Sequence, residues 1–183
     1  MEAMSVSVDL SLFDVIVDEA SAESPLWDES LLPRHERQLV AVFSSLVADP
    51  SLAVGLETIY EGYLVHYGRP RLFAPADADT ALLLGDYLYA HGLVRVAHTG
   101  NVAAVGDLAE LISLCAQLRS DGRDGDGAAW AASAALLGRG RLHAARASLR
   151  DAGDPSGLGA AARAAAGDDL VDRALAAHEL LVR

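Results

Sequence analysis

Apolar residues recur at helical spacing through much of the chain, and this pattern predicts a series of α-helices. Pro33 is well placed as a first helical residue, and the apolar stripe that follows predicts a helix ending before Pro50. Nearer the N-terminus, residues 9–20 fit a helical face, whereas the apolar positions of residues 6–12 alternate as they would in a strand. The stripe after Pro33 comprises Leu39, Val42, Phe43, Leu46 and Val47.

Three further helices are predicted in the centre of the chain, over residues 57–66, 79–97 and 101–119. Each follows a residue whose side chain can accept a hydrogen bond from first-turn amides, and the first two precede a glycine, which commonly ends a helix. Together with the segment from Pro33, they form the centre of the predicted fold, about 33–119. The caps are Ser51, Asp77 or Asp79, and Asn101, and the stops are Gly68 and Gly100.

A polar, glycine-rich loop over residues 120–127 separates this centre from an alanine-rich second half. Residues 128–183 contain four shorter helical patterns with no fixed period, so a helical-repeat array is not predicted. An alanine face buries little apolar area per turn. We therefore expect the second half to be the less stable one.

Length and composition predict one all-α domain that spans residues 1–183. A chain of 183 residues can bury one sizeable core and is short for two domains. Its hydrophobic fraction of 52% and charged fraction of 22% are those of a globular protein. The aromatic fraction of 5%, with abundant alanine and leucine, favours helices over a sandwich or barrel.

The charged residues exclude several classes of function. All 14 basic residues are arginine, so a Schiff-base lysine and a phosphate-loop lysine are both ruled out. The net charge of -12 disfavours a nucleic-acid partner. The N-terminus is acidic where a secretory signal would be basic, and no apolar run reaches the roughly 18 residues of a membrane span, so we expect a cytoplasmic protein without a transmembrane segment. The single cysteine, Cys115, leaves no partner for a disulfide or a zinc site.

Three motifs in the central helices resemble those of trans-prenyl diphosphate synthases. The pattern E-x-I-x-x-x-x-L-V-H, from Glu57 to His66, resembles the helix that leads into the first aspartate-rich motif of that family. The G-R-P of residues 68–70 and the L-L-G-D-Y-L of residues 83–88 match two later elements. The resemblance covers about 37–119 and implies a shortened isoprenoid-synthase-like helical bundle.

The family's D-D-x-x-D motif is missing between these elements. One alignment explains this by the loss of about three helical turns between His66 and Tyr67. A second alignment needs no deletion and places Glu57 and Glu61 at the first and last aspartate positions, one turn apart, where they could share a cation. The upstream basic pair is also missing, and its nearest candidates are Arg34 and Arg37.

Near the C-terminus, Asp168, Asp169 and Asp172 have the D-D-x-x-D form of the family's second motif. Alternatively, Asp168 or Asp169 caps a new helix after Gly167, where acidic residues complement the helix dipole. The first alternative would make these aspartates magnesium ligands, whereas the second gives them only a structural role. We expect the structural role and no cofactor, with Mg²⁺ required only if the partner or the chain is catalytic.

The resemblance implies a non-catalytic accessory subunit of a polyprenyl diphosphate synthase, which lacks the first aspartate-rich motif and helps to set product chain length. Its partner would be the catalytic subunit or a second copy of itself, with an isoprenoid as a possible ligand. The alternatives are a homodimeric, non-enzymatic helical module that binds an apolar small molecule or a protein, and a self-sufficient enzyme that uses the acidic residues. The candidate ligand-facing or partner-facing residues are Glu57, Glu61, His66, Arg69, Leu83, Asp86, Tyr87, Leu88 and Leu111.

Overall fold

The structure is a computed structural model that describes the backbone of residues 2–182 and the side chains of residues 12–182. This part of the chain is all-α, as predicted, with one isolated antiparallel bridge between Leu31 and Phe73. None of its helices is long and apolar enough to cross a membrane. The helices are α1 (Glu2–Glu23), α2 (Pro25–Glu29), α3 (Ala53–Tyr67), α4 (Ala78–His98), α5 (Val102–Ser120), α6 (Asp126–Ala135), α7 (His143–Ala152), α8 (Ser156–Ala166) and α9 (Asp168–Val182).

The helix predicted from Pro33 to Pro50 does not form, and this prediction is wrong. Its apolar residues Val42 and Phe43 are buried, but the backbone there is irregular. Three consecutive amides, those of residues 42–44, donate to the buried carboxylate of Glu57 instead of to carbonyls four residues earlier. Only short 3₁₀ turns remain, at Arg34–Glu36, Ser44–Leu46 and Pro50–Leu52.

The helical alternative for residues 9–20 is confirmed, because this segment lies within α1. Phe13, Ile16 and Ala20, at spacings of three and four residues, are all buried. They belong to a smaller apolar cluster that also contains Phe73 and Leu88. The side chains of residues 6, 8 and 10, on which the strand alternative depended, lie outside the described side chains.

Most predicted helix ends in the centre are confirmed by their hydrogen bonds. Asp77 Oδ1 accepts from the Thr80 amide at 2.7 Å, and Asn101 Oδ1 accepts from the Ala104 amide at 3.0 Å. Gly68 follows the last residue of α3. The exception is Ser51, whose hydroxyl donates to Asp49 at 2.7 Å, so it does not cap α3 and that prediction is wrong.

Helices α3 and α4 pack closely because glycines lie where they cross. A Cβ atom at Gly92 would come within 2.8 Å of the carbonyl oxygen of Gly55. One at Gly62 would come within 2.9 Å of the carbonyl oxygen of Gly85. These approaches leave no room for a larger side chain.

The four predicted C-terminal helices are all present as α6 to α9. Helix α6 is almost wholly buried, and α5, α8 and α9 pack around it. At its centre Trp130 is fully buried and contacts the rings of Phe43, Tyr60 and Tyr63. Aromatic contacts between α3 and α6 therefore join the alanine-rich half to the centre.

Candidate functional site

The carboxylates of Glu57 and Glu61 lie inside the protein, around one arginine. Both glutamates and Arg71 are fully buried. Arg71 Nη1 lies 2.8 Å from Glu57 Oε2, and Arg71 Nε donates to Glu61 Oε2 at 3.0 Å. Helix α3 places the two carboxylates one turn apart, and the loop after it returns Arg71 between them.

Backbone amides complete the coordination of these carboxylates. Glu57 Oε1 accepts from the amides of residues 42–44 at 3.0 to 3.2 Å. Glu61 Oε1 accepts from the amides of Arg71 and Leu72, both at 2.8 Å. The two carboxylates thus hold the irregular segment before α3 and the loop after it in place.

The Arg71 guanidinium is held by charge and by aromatic rings together. Its Cζ atom lies 5.2 Å from the centroid of the Phe13 ring and 5.0 Å from that of Tyr60, within the range of cation–π attraction. Burial alone would lower the pKa of Arg71, but the attraction of Glu57 and then of Glu61 outweighs it. The pKa of Arg71 is therefore raised above its ordinary value, and the side chain is a permanent internal cation.

The second alignment predicts that Glu57 and Glu61 could share a cation, and in the structure that cation is Arg71. Their oxygens bind the guanidinium and five backbone amides. In the described part of the chain, no three or more His, Cys, Asp or Glu side chains form a group that could hold a metal ion. The sequence pattern points to Arg69 because that residue belongs to G-R-P, whereas Arg71 follows the motif.

The other motif residues around the end of α3 make local contacts. His66 Nε2 lies 3.2 Å from Asp86 Oδ1, and the His66 ring packs against the rings of Tyr67 and Tyr89. Arg69 is exposed, and its Nη2 donates to the carbonyl oxygen of Leu180 at 3.0 Å. The loop after α3 is therefore fastened to α9.

The four apolar residues predicted to face a partner divide into two groups. Leu83 is 57% exposed, and Tyr87 is half-buried and stacks on Trp27 with ring centroids 5.5 Å apart. Leu88 and Leu111 are 1% and 0% exposed, because each faces the interior of this chain. Only the first two are accessible at the surface.

A second polar cluster joins α3, α5, α6 and α9 at Asp126. His178 Nε2 lies 3.1 Å from Asp126 Oδ2, and Tyr60 Oη lies 2.9 Å from His178 Nδ1. The Tyr63 hydroxyl donates to the same Asp126 oxygen, and Arg119 Nη2 donates to it at 2.6 Å. Sequence patterns do not reveal this cluster, because its members are up to 118 residues apart.

The hydrogen bonds of this cluster determine the charge of Asp126. Burial alone would raise the pKa of the carboxyl, but hydrogen bonds from His178 and Tyr63 and the charge of Arg119 hold it well below its usual range. Burial, then the nearby Asp126, raises the pKa of Tyr63. A cavity of about 490 Å³ opens beside the cluster. Because each side chain of the cluster is hydrogen-bonded to another member, its arrangement is that of a structural network.

The three C-terminal aspartates lie in the first turns of α9. The helix begins at Asp168, which supports the structural alternative for these residues. Arg163 Nη2 donates to Asp172 at 2.6 Å, and its Nε lies 3.8 Å from Asp168. Asp168 and Asp172 therefore contact an arginine, and both are largely exposed.

Large apolar side chains that remain exposed are concentrated on two adjacent helices. Among the described side chains, Leu82, Leu83 and Val94 of α4 are 52 to 57% exposed, and Val102 of α5 is 81% exposed. We call the exposed residues of these helices the α4–α5 surface. It comprises Ala78, Asp79, Leu82, Leu83, Asp86, Ala90, Val94, Ala97, His98, Val102, Ala103, Gly106, Ala109, Glu110, Ser113, Gln117 and Ser120.

Comparison of the chain with protein-family models, with curated proteins and with solved structures finds no match. The resemblance to trans-prenyl diphosphate synthases therefore rests on its three sequence motifs, in residues 57–88.

Proposed function

We propose that this chain is a non-catalytic subunit that binds a catalytic trans-prenyl diphosphate synthase through the α4–α5 surface and helps to set its product length. The observation that supports this most directly is the exposure of Leu82, Leu83, Val94 and Val102. Leu82 and Leu83 are neighbours on α4, Val94 lies about three helical turns further along it, and Val102 begins α5. Exposed apolar side chains that share a surface are typical of sites that bind another protein. Helix α4 carries the L-L-G-D-Y-L motif, and α5 is the next helix in the part of the chain that the resemblance covers.

The buried Glu57–Arg71–Glu61 cluster supports the non-catalytic part of this proposal. In the family, acidic pairs bind magnesium ions that draw off the charge of the diphosphate leaving group. Here the acidic pair that the second alignment places at these positions is closed off from solvent and bound to an internal arginine. A chain built in this way can contribute shape and contacts to an assembly.

The test is co-purification from the native cells, with the tagged wild-type chain and two variants compared in parallel. Leu83→Asp places a charge on the α4–α5 surface, and Leu180→Asp places the same charge on α9, where the wild-type leucine is 70% exposed. Both substituted residues are exposed, so both variants should fold. We expect the wild type and Leu180→Asp to recover an aspartate-rich prenyltransferase at near-equal amount, and Leu83→Asp to lose it.

Two results would overturn the proposal. If the wild type co-purifies with no prenyltransferase, the partner is wrong. If Leu83→Asp recovers the enzyme as well as Leu180→Asp does, the interface is elsewhere. A reconstituted assay then tests chain length, because the product distribution of the catalytic subunit should change when the wild-type chain is added.

A crevice between α1 and the irregular segment favours a second candidate, the binding of an apolar small molecule. It has a volume of about 440 Å³, with the apolar side chains of Phe13, Val17 and Leu39 on its walls and Arg34 and Arg37 among its lining residues. Such a mixture of apolar walls and a few polar groups is typical of ligand sites. Mass spectrometry of lipids extracted from the native purified protein would test it, and an extract without a stoichiometric ligand would exclude it.

A further inference from the structure

The charges on the α4–α5 surface limit which partners it can accept. Asp79 and Asp86 are exposed on α4, two helical turns apart, with Leu82 and Leu83 between them. Glu110 lies on α5, and its side chain is 50% exposed although it contacts Arg146 at 2.5 Å. Leu82 and Leu83 are therefore flanked by the carboxylates of Asp79 and Asp86.

The arginines of these two helices do not balance those carboxylates. In the described part of the chain, Arg95 pairs with Glu19 of α1, and Arg119 pairs with Asp126 of α6. His91 also contacts Glu19, at 2.9 Å. Arg95, Arg119 and His91 thus point towards neighbouring helices. The remaining basic side chain of these two helices in the described structure, His98, is exposed at the far end of α4, so the surface around Leu82 and Leu83 is left acidic.

The acidic charge of this surface also makes self-association through it unfavourable. In a twofold dimer the same surface patch faces itself, so the aspartates of one copy would approach the acidic surface of the other. No arginine of α4 or α5 is free to pair with them in the described structure. The net charge of -12 adds a repulsion between whole copies, which an apolar contact would have to overcome.

We propose that the α4–α5 surface binds an amphipathic helical surface whose apolar centre is flanked by lysine or arginine, and that it does not bind a second copy of this chain. This inference rests on the proposed function, because it describes the chemistry of the partner at the same surface. Leucine-sized side chains of the partner would cover Leu82, Leu83 and Val94. Its cations would lie opposite Asp79 and Asp86, which would accelerate encounter and fix the register.

The test uses two synthetic helical peptides, so that it does not depend on the identity of the natural partner. Both carry the same leucine face, which is flanked by lysines in one peptide and by glutamates in the other. Binding to the full chain is measured by fluorescence anisotropy at low and at moderate salt. We expect the lysine peptide to bind at least about tenfold more tightly than the glutamate peptide, with the difference decreasing as salt rises.

Matched neutralising variants separate a local effect from the effect of net charge. Asp79→Asn/Asp86→Asn removes two charges from the α4–α5 surface, and Asp151→Asn/Asp169→Asn removes two exposed charges elsewhere. We expect the first double variant to weaken binding of the lysine peptide about threefold to tenfold, and the second to change it less than twofold. Nuclear magnetic resonance shifts caused by the peptide should map to α4 and α5.

Three results would overturn the inference: equal affinity for the two peptides, equal weakening by the two double variants, or a stable dimer of the wild-type chain in sedimentation equilibrium that Leu83→Asp dissociates. Failure of the proposed function is distinguishable from each. If the peptide results hold and the co-purified partner is another basic helical protein, the charge inference stands and the prenyltransferase proposal fails.

Discussion

Replacing Arg71 should expose how strongly the fold depends on its internal cation. Arg71→Met keeps most of the side-chain volume and leaves Glu57 and Glu61 buried without a counter-charge. Removing one partner of a buried ion pair typically costs about 3 to 5 kcal/mol. The five backbone amides that donate to the two carboxylates stay in place and moderate the loss. The lost contacts with the rings of Phe13 and Tyr60 add to it.

The expected decrease in the free energy of unfolding at pH 7 is therefore about 3 to 5 kcal/mol. For a chain of this size, it corresponds to a decrease in Tm of about 6 to 20 °C. Urea unfolding, followed by circular dichroism and by the fluorescence of the two buried tryptophans, Trp27 and Trp130, gives the midpoint and the slope. Arg69→Met is the matched control: Arg69 is exposed, so that variant should change stability by less than about 1 kcal/mol.

A triple variant identifies the cause of the loss. In Glu57→Gln/Glu61→Gln/Arg71→Met the buried charges are removed together, so the chain should regain at least about 1 kcal/mol relative to Arg71→Met. If Arg71→Met is as stable as the wild type, the buried cluster contributes no net stability. If the triple variant is no more stable than Arg71→Met, uncompensated charge is not what destabilises the single variant.

Three further predictions concern other parts of the fold. Gly92→Ala should cost about 1 to 3 kcal/mol in urea unfolding because of the close Gly55 carbonyl, whereas Gly106→Ala, with open space around its Cβ, should not destabilise the chain. The stability advantage of the wild type over Asp126→Asn should be complete above the ordinary carboxyl pKa of 3.8 and decrease as pH falls below it, since the folded-state pKa is lowered; an advantage that is constant with pH contradicts this. Cys115 is fully buried, and its pKa is raised by burial, so labelling by a thiol reagent should proceed only at the rate of unfolding.

Local signals explain why most helices could be predicted from the sequence. The side chains of Asp77 and Asn101 cap the helices that follow them, as their types and positions indicate. The same holds for Gly68 after α3. These helix ends can be predicted because each depends on residues within one or two turns of it.

The segment from Pro33 to Pro50 could not be predicted in the same way, because its backbone is determined by a distant side chain. Its apolar spacing fits a helix, and Val42, Phe43 and Leu46 are indeed buried. Glu57 Oε1 nevertheless accepts hydrogen bonds from the amides of three consecutive residues. In a helix, these amides would donate to backbone carbonyls instead. The spacing of apolar residues predicts which side chains are buried. It does not predict which acceptor their backbone amides hydrogen-bond to.

The candidate site shows the same division between local and distant information. The spacing of Glu57 and Glu61 alone places them on one face of a helix. Once both are buried, they need a counter-charge, and a single cation between them can serve both. Which cation satisfies them depends on the path of the chain after Gly68, which brings the amide and the Nε atom of Arg71 to the Glu61 carboxylate. An arginine four residues after a helix that carries two buried acids is therefore the sequence signal to look for. It distinguishes an acidic pair closed by the protein itself from one left open to a metal ion.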